Sequence, residues 1–433
     1  MKISDTHRIV VDTCLGLGLK ERYWELRKTG TGFVRLLSVV NRRFALIVVQ
    51  DYIRFLLGGV RPVEGQTPDR VRAAAHWLLL AQSATPDGGV SYGYFPCAGA
   101  RGWGASYPET TGYIIPSLLE FAQREGDEEV REHALCMARW EIKVQMASGA
   151  VQGGPVCPPE QQTPAAFNTG MVLQGWSAAY RATGDRAFLA AGRRAADFLV
   201  RDLTPEGYFR TNGDFVTQDT IKTYNCLCAW PMYCFAQDVK DDCYQQAAIK
   251  IAEAAMRQQR PNGWIANNCL SRPEAPLLHT IGYALQGMLE VGVLCKRSDF
   301  IDAVERSVGS LMCHLSKKGF LYGRYNDDWR PASFSSCLTG SAQLAVVCYR
   351  LFEETGTEKY KEAANRVVNF LKALQIVNSP LDGVNGALAG SFPICGSYMT
   401  LGYPNWATKY LLDSLMLQDR LSTKGESQLL SIG

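Results

Sequence analysis

Five stretches of this chain are apolar on nearly every side, and each opens at a threonine: TGYIIPSLLEFA, TGMVLQGWSAAY, TYNCLCAWPMYCFA, TIGYALQGMLEVG and TGSAQLAVVCYRLF. A helix with no polar face is one buried all round. Each stretch is followed by a short polar turn, such as REGDEEV or ATGDRAF, and then by a segment with one charged face, such as DRAFLAAGRRAADFLVRDL. That alternation predicts pairs of helices, the first buried and the second half-exposed.

The pattern repeats. Thr111, Thr169, Thr223, Thr280 and Thr339 lie at intervals of 58, 54, 57 and 59 residues. A second landmark, a glycine followed by apolar residues, keeps a similar period: GAV at 149–151, GYF at 207–209, GWI at 263–265, GFL at 319–321 and GVN at 383–385. Two landmarks on one period mark an internal repeat. Residues 67–83 form a second-type helix followed by DGGV, and residues 403–419 form a first-type helix without a partner. Packing the last helix beside the first gives twelve helices. The expected fold is all-α: an (α/α)6 toroid of six helical hairpins over residues 67–420, with a helical N-terminal extension over 1–62 and a tail over 421–433. The threonines are expected to be N-caps.

Residues 1–62 differ from the rest. They hold eleven Lys/Arg against five Asp/Glu, and they mix arginine with large apolar residues in GFVRLLSVVNRRFALIVV and QDYIRFLLGG. Two readings stand, a helical extension packed on the body or a basic helix resting on an anionic membrane. The net charge of +3 gives no reason to expect nucleic acid. The fourteen cysteines show no CxxC pair and no zinc spacing. Reduced cytosolic thiols are therefore expected, with Cys136, Cys226, Cys228, Cys313 and Cys348 as small core residues. No metal and no cofactor is expected.

In such a ring the starts of the inner helices meet at one end, where their positive dipole ends gather. The residues there are Glu109 and Thr110, Asn168, Lys222, His279, Leu338 and, at the last helix, Tyr403, Asn405 and Lys409. One repeated structural task would not need Glu, Asn, Lys and His in turn. Among five histidines only His279 falls on an inner start, with Tyr283 one turn later; His7 lies in the extension, and His76, His133 and His314 lie on outer-type segments. Lys222, Tyr224 and Asn225 put a cation, a phenol and an amide in one turn. Trp103 and Tyr107 precede Glu109, and Arg324, Tyr325, Asp327 and Asp328 precede the fifth inner helix. Aromatic rings among paired donors and acceptors suit a sugar.

The repeat resembles the (α/α)6 toroids of carbohydrate-active enzymes: six-hairpin glycosidases, toroid polysaccharide lyases and the C-terminal domain of glucuronyl C5-epimerases. The segments YPETTGY and YPNWATKYLLDSL are similar to those of toroid proteins of bacterial surface-polysaccharide loci. Gln259-Arg-Pro-Asn-Gly263-Trp264 comes near a motif of the terpenoid-cyclase toroids, but their Asp-x-Asp-Asp is absent and Asn326-Asp327-Asp328 echoes it only in part. The resemblance implies a glycan-modifying enzyme. The residue types favour abstraction of the C5 proton of a uronic acid, by a lyase or an epimerase. His279 and Tyr224 or Tyr283 would move protons, and Asn168, Lys222 and Arg324 would hold the carboxylate. The alternatives are a glycoside hydrolase using Glu109 with Asp327, Asp328 or Asp219, and a non-catalytic glycan-binding scaffold. The expected partner is an oligosaccharide or polysaccharide. It would be lipid-linked if residues 1–62 touch a membrane, with the protein cytoplasmic and peripheral at the inner face.

Overall fold

The computed structural model describes residues 42–97, 102–213 and 221–430. His7, Asp219 and the first arginine-rich stretch up to residue 41 lie outside the described residues. Thirteen α-helices occur among those described. Helix α1 (Arg42–Leu56) precedes the ring. The half-exposed outer helices are α2 (Thr67–Ser83), α4 (Glu128–Val144), α6 (Arg186–Asp202), α8 (Asp242–Arg257), α10 (Ser298–Met312) and α12 (Glu358–Leu374). The inner helices are α3 (Pro108–Glu125), α5 (Ala166–Thr183), α7 (Ala229–Val239), α9 (Leu278–Cys295), α11 (Leu338–Thr355) and α13 (Asn405–Leu430). A 3-10 turn, Thr223–Cys228, leads into α7.

Each inner helix packs on the next, and α13 closes the ring by packing on α11, α3 and α2. Ser117 of α3 donates to Asp413 of α13 at 2.6 Å, and Arg124 pairs with Asp419. Lys372 of α12 donates to the Gly65 carbonyl at 3.0 Å, which ties the last outer helix to the start of the first. Around this ring α3 faces α9 across the axis, α5 faces α11, and α7 faces α13.

The threonine period has a different cause from the one expected. Tyr107 and Ala165 are the N-cap residues of α3 and α5; Thr111 and Thr169 sit inside the first turn. The Thr111 hydroxyl donates to the Tyr107 carbonyl and accepts from the backbone N–H of Val90, both at 2.9 Å. Thr169 repeats this with Ala165 at 2.8 Å and Val151 at 2.9 Å. These two hydroxyls stitch the preceding glycine turn to the inner helix, and Thr408 of α13 repeats the contact by accepting from the Leu388 N–H at 3.1 Å. Thr223 and Thr280 instead donate to the Ala266 and Leu277 carbonyls, so the stitch belongs to three of the six hairpins. The turn glycines need their positive φ, +88° at Gly149 and +90° at Gly319. In the last hairpin this position is Gly386 (φ +95°), against the Ala73 carbonyl of α2, and not Gly383.

Two other glycines make opposite predictions. A Cβ on Gly112 of α3 would lie 2.5 Å from the Val172 Cα of α5, whereas one on Gly309 of α10 would meet nothing within 4 Å. Gly112→Ala should destabilise the fold, because a clash with backbone costs about 1–3 kcal/mol and outweighs the helix propensity gained. Gly309→Ala should stabilise it by about 0.4–1 kcal/mol. Urea unfolding of the two variants checks both signs.

The strands are short. β1 (Gly93–Tyr94) pairs with β4 (Tyr403–Pro404), and β2 (Ser336–Cys337) pairs with β3 (Ser391–Phe392), all antiparallel. They fasten the loops at the end where the inner helices start. Cys226, Cys228 and Cys348 are buried as expected, but Cys136 on the wet face of α4 and Cys313, which caps the end of α10, are exposed.

Candidate active site

Glu109 lies in the first turn of α3, almost fully buried. The Tyr107 hydroxyl donates to its Oε2 at 2.9 Å. Burial pushes its carboxyl up to about 7, against the opposing pull of that hydrogen bond. Its charge in turn acts on Tyr113, Tyr224, Tyr283, Tyr398 and Tyr410, so it stands at the hub of a ring of phenols. Burial holds these tyrosines above the ordinary phenol range, which keeps them protonated as donors.

His279 starts α9, on the opposite side of the axis. Its Nδ1 lies 2.7 Å from Gln343 Oε1 of α11. With that oxygen accepting, the ring carries its proton on Nδ1 and leaves Nε2 as a lone pair. The imidazole stacks 4.3 Å from the Tyr283 ring and 5.7 Å from Tyr398. Burial pushes it down to about 4, with the Gln343 hydrogen bond opposing. At neutral pH the histidine is therefore an uncharged base, while much of Glu109 is still a neutral acid.

Several polar atoms of this cluster have no partner in direct hydrogen-bond geometry. They are Tyr113 Oη, Asn168 Oδ1, Tyr283 Oη, Thr339 Oγ1 and Gln343 Nε2. A buried polar atom left unpaired costs about 1–3 kcal/mol. Tyr113 with Tyr283, Tyr398 with Thr339, and Tyr410 with Gln343 interact weakly across the cluster and offset part of it, and a ligand rich in hydroxyls would recover the rest.

The remaining candidates divide. Asn168 donates to the Gln152 carbonyl at 3.0 Å and reaches the Tyr107 hydroxyl. Tyr224 packs edge-on against Phe167, which also meets Tyr283 at 4.8 Å. These two belong to the cluster with Glu109, Tyr107, His279 and Tyr283. Lys222 donates to the carbonyls of Cys269 and Leu270, each at 3.4 Å, and Arg324 to that of Ala275 at 2.7 Å. Both cations thus brace one loop. Asn225 bonds Asn212 at 2.9 Å, and Asn405 bonds the Ser91 carbonyl and Thr110, each at 2.8 Å. Trp103 packs between Trp77 and Tyr94, Tyr325 accepts from the Tyr322 N–H, and Tyr403 lies against Phe44 of α1. Asp327 pairs with Arg260 at 2.6 Å, half-exposed, so neither it nor its neighbour Asp328 joins Glu109.

Gln343, Tyr398 and Tyr410 were missed by sequence reasoning. Gln343 lies four residues after Thr339, as Tyr283 does after His279 and Tyr113 after Glu109. The signal was therefore the second turn of each inner helix. Tyr398 comes from the long loop before α13 and gave none.

A cavity of about 360 Å³ opens at the other end of the ring. Its charges are matched: Arg181 with Asp238 at 2.7 Å, Arg350 with Glu290 at 2.9 Å and Lys409 with Asp413 at 2.7 Å. The groups with displaced proton affinity gather instead around Glu109 and His279, and that is where chemistry belongs.

No family model matches the chain, and no curated protein matches it in sequence. Solved structures do match. An unsaturated glucuronyl hydrolase specific for heparin is 16% identical, with a TM-score of 0.66 over 82% of this chain and 98% of that one. A sugar epimerase from a ruminal bacterium is 13% identical, TM-score 0.65, over 81% and 98%. A cellobiose 2-epimerase from Bacillus thermoamylovorans is 9% identical, TM-score 0.62, over 81% and 98%. At these identities the likeness is one of fold, and the fold of this chain is the six-hairpin (α/α)6 toroid that these enzymes share.

Proposed function

We propose that this protein is a carbohydrate-active enzyme that abstracts the C5 proton of a uronic-acid residue in a glycan. The observation that carries the reading is a pair of acid–base groups on diametrically opposite inner helices, with proton affinities moved apart. His279 Nε2 takes the C5 proton, and the bonding electrons pass into an enolate at C5–C6. The phenols of Tyr224 and Tyr283, with Tyr113, donate to that enolate. Glu109 then gives its proton. Delivered to C5 from the other face, it makes the epimer. Delivered to the oxygen leaving C4, it makes a C4=C5 double bond and completes a lyase step. In this proposal Lys222 and Arg324 shape the loop beside the site, and Asn168 orients Tyr107.

Incubation with uronic-acid oligosaccharides in deuterated solvent tests it. An epimerase incorporates deuterium at C5, and a lyase produces the ultraviolet absorbance of a conjugated acid. Reducing ends released with neither signal would establish the hydrolase reading, which the hydrolase fold relative and an acid near neutrality favour second. No turnover on any glycan would leave a binding scaffold.

The proton affinities set the pH dependence. His279 must be deprotonated and Glu109 protonated, so kcat should plateau between about 4 and about 7. It should fall below as the imidazole charges and above as the carboxyl ionises. A rate that instead climbs through 7 would assign Glu109 as the base.

A further inference from the structure

Helix α1 is apolar on two opposite faces. Phe44, Val48 and Phe55 are buried, packing on the ring through Tyr403, Phe334 and Phe392 at centroid distances of 5.6 to 6.4 Å. Asp51 Oδ2 accepts from the Ile394 N–H at 2.6 Å on the same side. The outward face carries Leu46, Val49, Ile53, Leu56 and Leu57, between 39% and 73% exposed. Six large hydrophobic residues are exposed by 36% or more among the described residues, and five of them lie here. At 3.6 residues per turn, Leu46, Ile53 and Leu57 fall on one line, with Val49 and Leu56 on the next. A continuous apolar stripe of this kind on a soluble surface marks an interaction site.

The charge pattern selects the partner. Exposed Arg43 and Arg54, eleven residues apart, share a line beside the stripe, and exposed Arg61 follows the helix. Within the described part, residues 42–62 hold four arginines against one acidic residue, Asp51, which is turned inward to Ile394, so the charge exposed beside the stripe is positive. An anionic lipid surface takes both features at once: side chains enter the acyl boundary while arginines meet headgroups. At 15 residues α1 is far too short to span a bilayer, and no described helix is long and apolar enough to do so. It would lie in the plane.

We infer that the outward face of α1 docks this protein on an anionic bilayer. The position of the helix gives the docking a purpose. Phe334 and Phe392 sit in the loops that lead into α11 and α13, and Tyr403 precedes α13, so α1 covers the same end of the ring as Glu109 and His279. Docking brings the end of the ring that holds Glu109 and His279 to the headgroup layer and favours a lipid-borne glycan. That last step rests on the proposed activity; the docking does not.

The experiment is vesicle sedimentation of the full chain, with phosphatidylglycerol/phosphatidylcholine vesicles against phosphatidylcholine alone. Wild type should pellet with the anionic vesicles and be released by salt. Ile53→Glu with Leu57→Glu should abolish pelleting while circular dichroism and the unfolding midpoint stay unchanged, since both side chains face outward. Arg54→Gln should weaken it about fivefold. Failure of wild type to pellet, or equal pelleting on neutral vesicles, overturns the inference. So does a wild-type dimer in analytical ultracentrifugation that the double variant dissociates, which would make a second copy the occupant. Pelleting without turnover on any glycan would sink the activity reading and leave the docking intact.

Discussion

Glu109→Gln should lower kcat by about 10²- to 10⁴-fold and leave KM nearly unchanged. The amide keeps the size of the side chain and can still accept from Tyr107, so the loss isolates the proton. Stability separates this from a damaged fold. A carboxyl raised by burial holds its proton more tightly in the folded chain than in the unfolded one. The fold is therefore least disturbed below the ordinary carboxylate range and loses stability as pH rises toward about 7, where the buried group ionises. Glutamine removes that penalty. At pH 8 the variant should be inactive and yet more stable than wild type, by an amount on the order of a few kcal/mol. Kinetics paired with urea unfolding at pH 5 and pH 8 would show both. An inactive variant that is also less stable at pH 8 would mean Glu109 is a structural bond to Tyr107 and no acid.

Such a penalty is a physical reason to treat Glu109 as functional. The fold buries a carboxyl among phenols when a glutamine would fit, and Tyr107 offsets the cost only in part. Glu141, also fully buried, has neither oxygen partnered and its proton affinity raised well above the usual range. It lies on outer helix α4, away from the axis, so perturbation alone does not make a site. What separates Glu109 is its place on an inner start, ringed by donors and facing a histidine.

How much of this was legible follows from which contacts are periodic. The helix pairs, their order and the closure of the ring could be read because every hairpin meets the same neighbours. The threonine and glycine landmarks mark the same period, and at Thr111, Thr169 and Thr408 the two touch. Glu109, Asn168 and His279 could be selected because inner-helix starts meet at one end in any such ring. Lys222 and Arg324 looked alike in the sequence, but the carbonyls of Cys269, Leu270 and Ala275 capture them. Those carbonyls lie in a loop without regular structure, and nothing periodic announces where such a loop turns its oxygens. Tyr398 is hidden for the same reason: the loop over 375–404 folds back to the axis, and its path depends on pairing β3 with β2 and on Ser391 accepting from the Tyr398 N–H at 3.2 Å.

His279→Gln should cost about 10²- to 10⁴-fold in kcat as well, and the manner of the loss would show its role. Glutamine can keep a hydrogen bond toward Gln343, but it cannot take a proton from carbon. The acidic limb of the pH profile, expected near 4, should vanish with the activity, while the limb near 7 persists in whatever rate remains. Gln343 supplies the control. It touches the imidazole from behind, so it positions and polarises the base without meeting the reacting carbon. Gln343→Leu removes the acceptor that raises the proton affinity of His279. The acidic limb should then move still lower, and kcat should fall less than in His279→Gln, with the ring losing its fixed tautomer. Gln343→Glu should do the opposite, because a carboxylate at 2.7 Å favours the imidazolium and carries the acidic limb upward. A histidine that served only to pack against Tyr283 would leave both limbs where they were. Movement in opposite directions in the two Gln343 variants is a result that packing alone does not produce, and it would fix His279 as the base whose charge state limits the reaction.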